Sequence, residues 1–71
     1  MTTQTIEIKV NGNPRQVVGD LTVESLLLEL GIRGDRVAVE LDKEIVPKRS
    51  WSSRVVPAGG KFEIVEFVGG G

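Results

Sequence analysis

A single stretch of this chain has the periodicity of an amphipathic helix, and alternating apolar and polar residues flank it on both sides. Within residues 22–31 the apolar positions follow the i, i+3, i+4, i+7 spacing of one helix face: Val23, Leu26, Leu27 and Leu30. A helix of about two to three turns is unstable by itself in water. Its apolar face must therefore pack on a sheet that the flanking segments build.

Residues typical of helix ends bound this segment. The Thr22 hydroxyl group is placed to accept a hydrogen bond from an N–H group of the first turn. Glu24 lies near the positive end of the helix dipole. Gly31 can adopt the left-handed conformation that ends many helices. The sequence therefore predicts a short helix between Thr22 and Gly31.

Two strands are predicted before the helix. Residues 5–10 alternate strictly and place three branched side chains on one face: Ile6, Ile8 and Val10. Asn11 and Gly12 tolerate the positive φ angles of a two-residue hairpin turn. A second strand then runs from about Pro14 to Val18, and the proline places it at a sheet edge or at a strand beginning.

Three more strands are predicted after the helix. Residues 36–41 alternate again, with three apolar side chains on one face: Val37, Val39 and Leu41. A turn over residues 42–44 leads to a short strand at 45–46, which Pro47 stops. Residues 48–56 are largely polar and are predicted to be irregular. The third strand of this group is the last element of the fold.

This last strand is predicted over residues 61–68. Its alternation places two side chains on the core face: Phe62 and Ile64. Val65 and Phe67 then point away from the helix, and we expect them to form with Val68 an apolar docking surface for partner proteins. In the alternative interpretation Phe67 covers part of the core, or the register is displaced by one residue, which would exchange the two faces.

The order of these elements is β-β-α-β-β-β. A hairpin, a crossover helix and further strands predict an α+β fold, in which a mixed sheet of four to five strands carries one helix across one face. In the arrangement that we favour, the first and last strands are central and parallel. The predicted domain covers residues 1–68, and residues 69–71 form a flexible glycine tail that projects from the end of the sheet.

The composition excludes several kinds of site. The 71 residues include no cysteine and no histidine, so we expect no disulfide, no metal site and no histidine-based catalysis. Nine basic and ten acidic residues give a net charge of −1, which argues against nucleic acid as a partner. No apolar run could span a membrane and no segment resembles a signal peptide, so we expect a soluble cytoplasmic protein.

Trp51 lies among three basic residues: Lys48, Arg49 and Arg54. An aromatic ring with basic neighbours can serve as a stacking platform for nucleic acid. The near-neutral charge of the chain favours a different interpretation, in which Trp51 covers one end of the core while the cations stay in water.

The sequence finishes with three glycines: Gly69, Gly70 and Gly71. Glycine loses more conformational freedom on folding than any other residue, so this run adds nothing to a packed core. A chain end without side chains can enter a narrow site in another protein, and three extended residues reach about 10 Å. The carboxylate of Gly71 would then be the reactive group. The alternative is a frayed terminus without a function.

The combined pattern resembles the ThiS family of small ubiquitin-like sulfur carriers. The resemblance covers nearly the whole chain and rests on Asn11-Gly12, Thr22-Val23, Leu26-Leu27, Leu30-Gly31, residues 36–40, residues 44–47, Trp51, residues 63–65 and the terminal glycines. Asp42 and Gly60 depart from it, because family members commonly have Asn and Asp at these positions. The resemblance implies the β-grasp (ubiquitin-like) fold.

The resemblance also implies a route for sulfur in thiamine biosynthesis. An E1-like adenylyltransferase (ThiF) would use ATP and Mg²⁺ to adenylate the carboxylate of Gly71, with Gly69 and Gly70 threaded into its active site. Sulfur from a persulfide, supplied by a cysteine desulfurase or another donor, would displace AMP and leave a thiocarboxylate. The thiazole synthase (ThiG) would then take the sulfur. The chain would thus be a carrier without a bound cofactor, not an enzyme, and a monomer when free.

Other functions share parts of this pattern. Sulfur carriers for molybdopterin synthesis and for tRNA 2-thiolation have the same fold and tail, although residues 44–47 and 67–71 favour the thiamine branch. A second class is a protein modifier that is conjugated to lysines, as ubiquitin is. A third class is a binding module with an inert tail.

Overall fold

Five strands form one mixed sheet in the computed structural model, which describes residues 4–67. The elements are β1 (Thr5–Val10), β2 (Asn13–Val18), α1 (Val23–Glu29), β3 (Val37–Leu41), β4 (Glu44–Ile45) and β5 (Lys61–Glu66), with short 3₁₀ helices at Gly34–Arg36 and Lys48–Ser50. The strand order is β2-β1-β5-β3-β4, in which β1 and β5 are parallel and the other neighbours are antiparallel. The predicted α+β fold, with its parallel first and last strands, is confirmed.

Two tight turns set the register of the two hairpins. Asn11 (φ 51°) and Gly12 (φ 85°) form the loop between β1 and β2, as the Asn-Gly pair predicts. Asp42 (φ 51°) and Lys43 (φ 71°) form the equivalent loop between β3 and β4. β2 is an edge strand of the sheet, and this position accommodates Pro14 near its start.

Both predicted helix ends are confirmed. Thr22 Oγ1 accepts a hydrogen bond from the Ser25 amide at 3.2 Å, which caps the N-terminus of α1. At the other end Gly31 has a φ angle of 72°, and the Ile32 amide donates to the Leu27 carbonyl at 3.0 Å. This bond belongs to a Schellman motif, which satisfies the last carbonyl groups of the helix.

The core lies between α1 and one face of the sheet, as the apolar pattern predicts. Its largest fully buried side chains are Phe62, Ile8, Leu26, Val23, Val39 and Val56. Burial of one such side chain stabilises the fold by about 1.5–3 kcal/mol. Because the sequence has no cysteine for a disulfide, stability depends on this apolar packing.

The segment between β4 and β5 contributes more to the core than we predicted from its polar residues. Trp51 is buried, and its Nε1 atom donates to the Val46 carbonyl at 2.9 Å. Val56 is also buried, and its amide donates to the Leu21 carbonyl at 2.8 Å. The interpretation of Trp51 as a core residue is confirmed. Its ring has no exposed face on which nucleic-acid bases could stack.

The boundaries of β4 correct the prediction by one residue. We expected a strand at residues 45–46 after a three-residue turn, whereas β4 is Glu44–Ile45. The two-residue turn brings Glu44 directly opposite Leu41, so pairing starts one residue earlier. Val46 follows the strand, is buried, and still donates its amide to the Val39 carbonyl at 2.9 Å.

The last strand is shorter than predicted. β5 ends at Glu66, because its partner β3 begins at Val37, which lies directly opposite. The Phe67 amide adds one more hydrogen bond, to the Arg36 carbonyl at 2.8 Å. The predicted strand end at residue 68 is therefore wrong, since β5 ends before Phe67. The expected domain boundary before residues 69–71 falls outside the described residues and stays a prediction.

Candidate functional site

The two faces of β5 have opposite environments. Phe62 and Ile64 are buried against the core, whereas Val65 is 55% exposed and Phe67 is 59% exposed. The predicted register of this strand is therefore confirmed. The alternative in which Phe67 covers part of the core is wrong, because the strand directs its side chain to the face opposite α1.

Two further apolar residues lie on the same sheet face as Val65 and Phe67. Ala38 on β3 is the direct cross-strand neighbour of Val65. Ile45 on β4 is 63% exposed, and its direct cross-strand partner is Glu40 on β3. Ala38 lies two residues before Glu40 on the same face, so Ile45 and Ala38 are diagonal neighbours. We name Ala38, Ile45, Val65 and Phe67 the outer patch. An apolar surface of this kind, beside the end of the chain, is suited to binding another protein.

Sequence reasoning missed Ile45 and Ala38 as members of this surface. The signal that could have found Ile45 is the turn at Asp42 and Lys43, because a two-residue hairpin loop fixes which residues are paired across it. Ala38 could have followed only from the pairing of β3 with β5, which the local pattern does not reveal.

Two carboxylates border the outer patch. Glu40 on β3 and Glu63 on β5 are direct cross-strand neighbours on the outer face. Like charges directly opposite each other destabilise a sheet. Lys43 and Lys61 line the same surface as Glu63. This side of the patch therefore carries charges of both signs, which suits a partner with a charged rim of its own. Glu44 on β4 is not part of this pair, because its cross-strand neighbour is Leu41.

Side chains from two turns bind the backbone of β5, one at its start and one at its middle. Asp42 Oδ1 accepts a hydrogen bond from the Lys61 amide at 3.1 Å, at the start of the strand. Asn11 Oδ1 accepts from the Ile64 amide at 2.7 Å, and Asn11 Nδ2 donates to the Ile64 carbonyl at 3.2 Å. We predicted Asn11 only as a turn residue, because its contact with Ile64 spans 53 positions of sequence.

The predicted reactive end of the chain follows the outer patch in sequence. Val68, Gly69, Gly70 and Gly71 lie outside the described residues, so their predicted roles stay predictions. The last described residue is Phe67, which belongs to the patch.

Residues 4–67 contain neither a candidate metal site nor a helix that could span a membrane. This part of the chain contains no group of three or more acidic, histidine or cysteine side chains that could hold a metal ion. Its helices are also too short and too polar to cross a membrane. The features that stand out in these residues are the outer patch and the two side chains that bind β5.

Comparison with known proteins identifies the family. The model of the ThiS family matches residues 8–71. This chain belongs to the ThiS family. Its fold agrees, since the crystal structure of thiamine biosynthesis protein ThiS from Geobacter metallireducens superposes with a TM-score of 0.81 at 32% identity, over 93% of this chain and 100% of that one. The predicted β-grasp fold and the resemblance to the ThiS family are confirmed.

Similar proteins occur both alone and within longer chains. The sulfur carrier protein ThiS of Escherichia coli is 27% identical over 93% of this chain and 100% of its own length. A thiazole synthase of Paramagnetospirillum magneticum is 47% identical over 93% of this chain, but the match covers 20% of that protein. The chain thus spans about a fifth of the length of the thiazole synthases that it matches.

Proposed function

We propose that this protein is a sulfur carrier of thiamine biosynthesis that delivers sulfur to a thiazole synthase. The observation that carries the proposal is the match to the ThiS family over residues 8–71, which includes the glycine run. The matched region of the E. coli sulfur carrier is the whole of that protein, so the likeness is not confined to one motif.

The first step of the proposed reaction activates the carboxylate of Gly71. A carboxylate is a poor electrophile, so one of its oxygens attacks the α-phosphorus of ATP and pyrophosphate leaves. The product is an acyl-adenylate, whose carbonyl carbon has AMP as a leaving group. An E1-like adenylyltransferase of the ThiF type binds the ATP and Mg²⁺ for this step. The contribution of the carrier is to present a chain end that has no side chains.

The second step attaches sulfur. The outer sulfur of a persulfide, generated by a cysteine desulfurase or a comparable donor, attacks the acyl carbon, and AMP leaves. A thiol then attacks the sulfur–sulfur bond of the acyl persulfide, which releases the thiocarboxylate and forms a disulfide on the donor. The carrier has no cysteine, so the sulfur cannot be held as a persulfide of its own.

The proposed recipient is a thiazole synthase. Two thiazole synthases contain a region similar to 93% of this chain, one at 47% identity and one at 35%. A carrier domain and a catalytic region in one polypeptide have a high effective concentration for each other. The presence of both regions in one relative supports a thiazole synthase as the partner of the present protein, whether the two are separate chains or parts of one chain.

The outer patch is the proposed docking surface for both partners. Val65 and Phe67 precede the proposed reactive end by a few residues in the sequence, and a run of three glycines can extend about 10 Å into a partner. A partner that covers the patch removes apolar surface from water while it receives Gly71. Val68, predicted as part of the same surface, continues the chain from Phe67.

Pyrophosphate exchange tests the activation step. The chain is mixed with an E1-like adenylyltransferase, Mg²⁺, ATP and labelled pyrophosphate, and the carrier-dependent appearance of label in ATP is measured. We expect exchange with the full chain, none after removal of Gly71, and normal exchange with Leu28→Ala, a control on the exposed side of α1. Undiminished exchange without Gly71 would overturn the proposed role of this residue.

A further inference from the structure

The C-terminal half of β5 extends beyond the strand that supports it on one side. β1 and β5 are paired at Lys9 with Lys61 and at Val10 with Phe62, where β1 ends. β5 continues to Glu66 and stays paired with β3 along the whole of this length. On the β1 side, the backbone of β5 after Phe62 therefore needs support from something other than a strand.

The side chain of Asn11 supplies that support. Its own amide donates to the Phe62 carbonyl at 2.8 Å, as the next residue of a parallel strand would. Its side-chain amide then accepts from the Ile64 N–H at 2.7 Å and donates to the Ile64 carbonyl at 3.2 Å. A primary amide offers the same donor and acceptor as a peptide group. Asn11 thus extends the parallel ladder by one step, although β1 has already turned away.

The backbone conformation of Asn11 limits which residues can occupy this position. Its φ angle of 51° lies in the left-handed region, which glycine, asparagine and aspartate tolerate best. Glycine has no side chain to reach Ile64, and aspartate can accept from its amide but cannot donate to its carbonyl. Asparagine is therefore the residue that fits both the turn and the hydrogen bonds to β5.

We infer that Asn11 is a positioning residue for the carrier reaction, because its side chain holds β5 at Ile64 on the side that β1 no longer supports. This inference rests on the proposed function. A partner binds productively only those molecules in which the part of β5 that leads to Phe67 is held in place. The apparent affinity falls in proportion to that fraction, while the rate from the bound state does not. Loss of the Asn11 side chain therefore raises KM for the carrier and leaves kcat unchanged.

Two glycine substitutions separate this role from a general effect on the turn or the fold. Asn11→Gly keeps a residue suited to positive φ and removes both hydrogen bonds to Ile64. Asp42→Gly is the matched control, since Asp42 has the same φ angle of 51° and binds β5 at its first residue, three positions before Ile64. Asn11→Asp is a milder variant that keeps the acceptor for the Ile64 amide. Circular dichroism at the assay temperature establishes that each variant is folded.

The kinetic test measures pyrophosphate exchange as a function of carrier concentration. We expect Asn11→Gly to raise KM by about fivefold at unchanged kcat, as loss of two modest hydrogen bonds in the competent state implies. Asn11→Asp should give an intermediate KM, and Asp42→Gly should remain within about twofold of the unsubstituted chain. An unchanged KM for a folded Asn11→Gly, or an equal rise for Asp42→Gly, overturns the inference.

A second measurement needs no partner enzyme and separates failure of the inference from failure of the proposed function. Amide exchange at Ile64 and ¹⁵N relaxation at Phe67 are compared among the same variants. We expect the fastest exchange and the lowest order parameter in Asn11→Gly, intermediate values in Asn11→Asp, and no change in Asp42→Gly. If the unsubstituted chain supports no pyrophosphate exchange, the proposed function fails, and these NMR data still decide whether Asn11 orders the end of β5. Unaltered Phe67 relaxation in Asn11→Gly would refute that role.

Discussion

Removal of the Phe67 side chain should weaken partner binding without weakening the fold. Phe67 is 59% exposed, so a partner that covers it removes about 120 Å² from water if the side chain offers about 200 Å² in all. At about 25 cal/mol per Å² this burial contributes about 3 kcal/mol to binding. Alanine retains the Cβ atom and part of that area. We therefore expect Phe67→Ala to lose about 2 kcal/mol, or roughly 30-fold in Kd.

Isothermal titration against the adenylyltransferase measures this loss, and thermal denaturation measures stability in parallel. Leu28→Ala is the matched control, because Leu28 is a large side chain that is 74% exposed on α1, on the other side of the sheet. Its Kd should be unchanged. A cooperative unfolding temperature far below that of the unsubstituted chain would mean that Phe67 stabilises the fold. An unchanged Kd for Phe67→Ala would mean that the patch is not the docking surface.

Three further substitutions test the account of the fold and of the patch. Trp51→Phe leaves the Val46 carbonyl without its Nε1 donor, so urea denaturation should show a loss of about 1–3 kcal/mol. Thr22→Ala removes the cap of α1 and should cost about 1 kcal/mol in the same assay. Glu40→Lys replaces the like-charge pair with Glu63 by an opposite-charge pair, so stability should rise by about 0.2–1 kcal/mol in the same assay. A loss of stability would contradict the repulsion between Glu40 and Glu63.

Local signals were sufficient for the elements whose structure depends on neighbouring residues. The hairpin follows from alternation and from the φ preferences of Asn11 and Gly12, and the helix ends follow from Thr22 and Gly31. In each case the contacts that form the turn or the helix end join residues only a few positions apart in the sequence. The local residue pattern is therefore enough to predict the structure.

Features that depend on distant contacts could not be derived in this way. The burial of Val56 depends on pairing with the segment before α1, where its amide donates to the Leu21 carbonyl, and no periodicity in residues 48–56 signals it. The hydrogen bonds of Asn11 depend on Ile64, 53 positions away. Ala38 joins the outer patch only because β3 pairs with β5. Sheet register outside a hairpin is set by tertiary packing, so a single sequence does not specify these neighbours.

Local sequence patterns predicted one part of the candidate site, and the other part depended on strand pairing. Strict alternation in β5 was sufficient to place Val65 and Phe67 on the outer face, and the structure agrees. The other half of the patch required the β3–β4 and β3–β5 pairings. The glycine run was informative for chemistry rather than for structure, because residues without side chains leave no packing pattern from which a position could be predicted.

The central claim is that the chain carries one sulfur atom at Gly71 and gives it up to a thiazole synthase. Intact-mass analysis after incubation with ATP, Mg²⁺, an E1-like adenylyltransferase and a persulfide donor with thiol tests it most directly. We predict a gain of about 16 Da that maps to Gly71, because sulfur replaces one oxygen, and a return to the original mass after addition of thiazole synthase and its substrates. An unchanged mass, with an enzyme that is active on another carrier, would contradict the account.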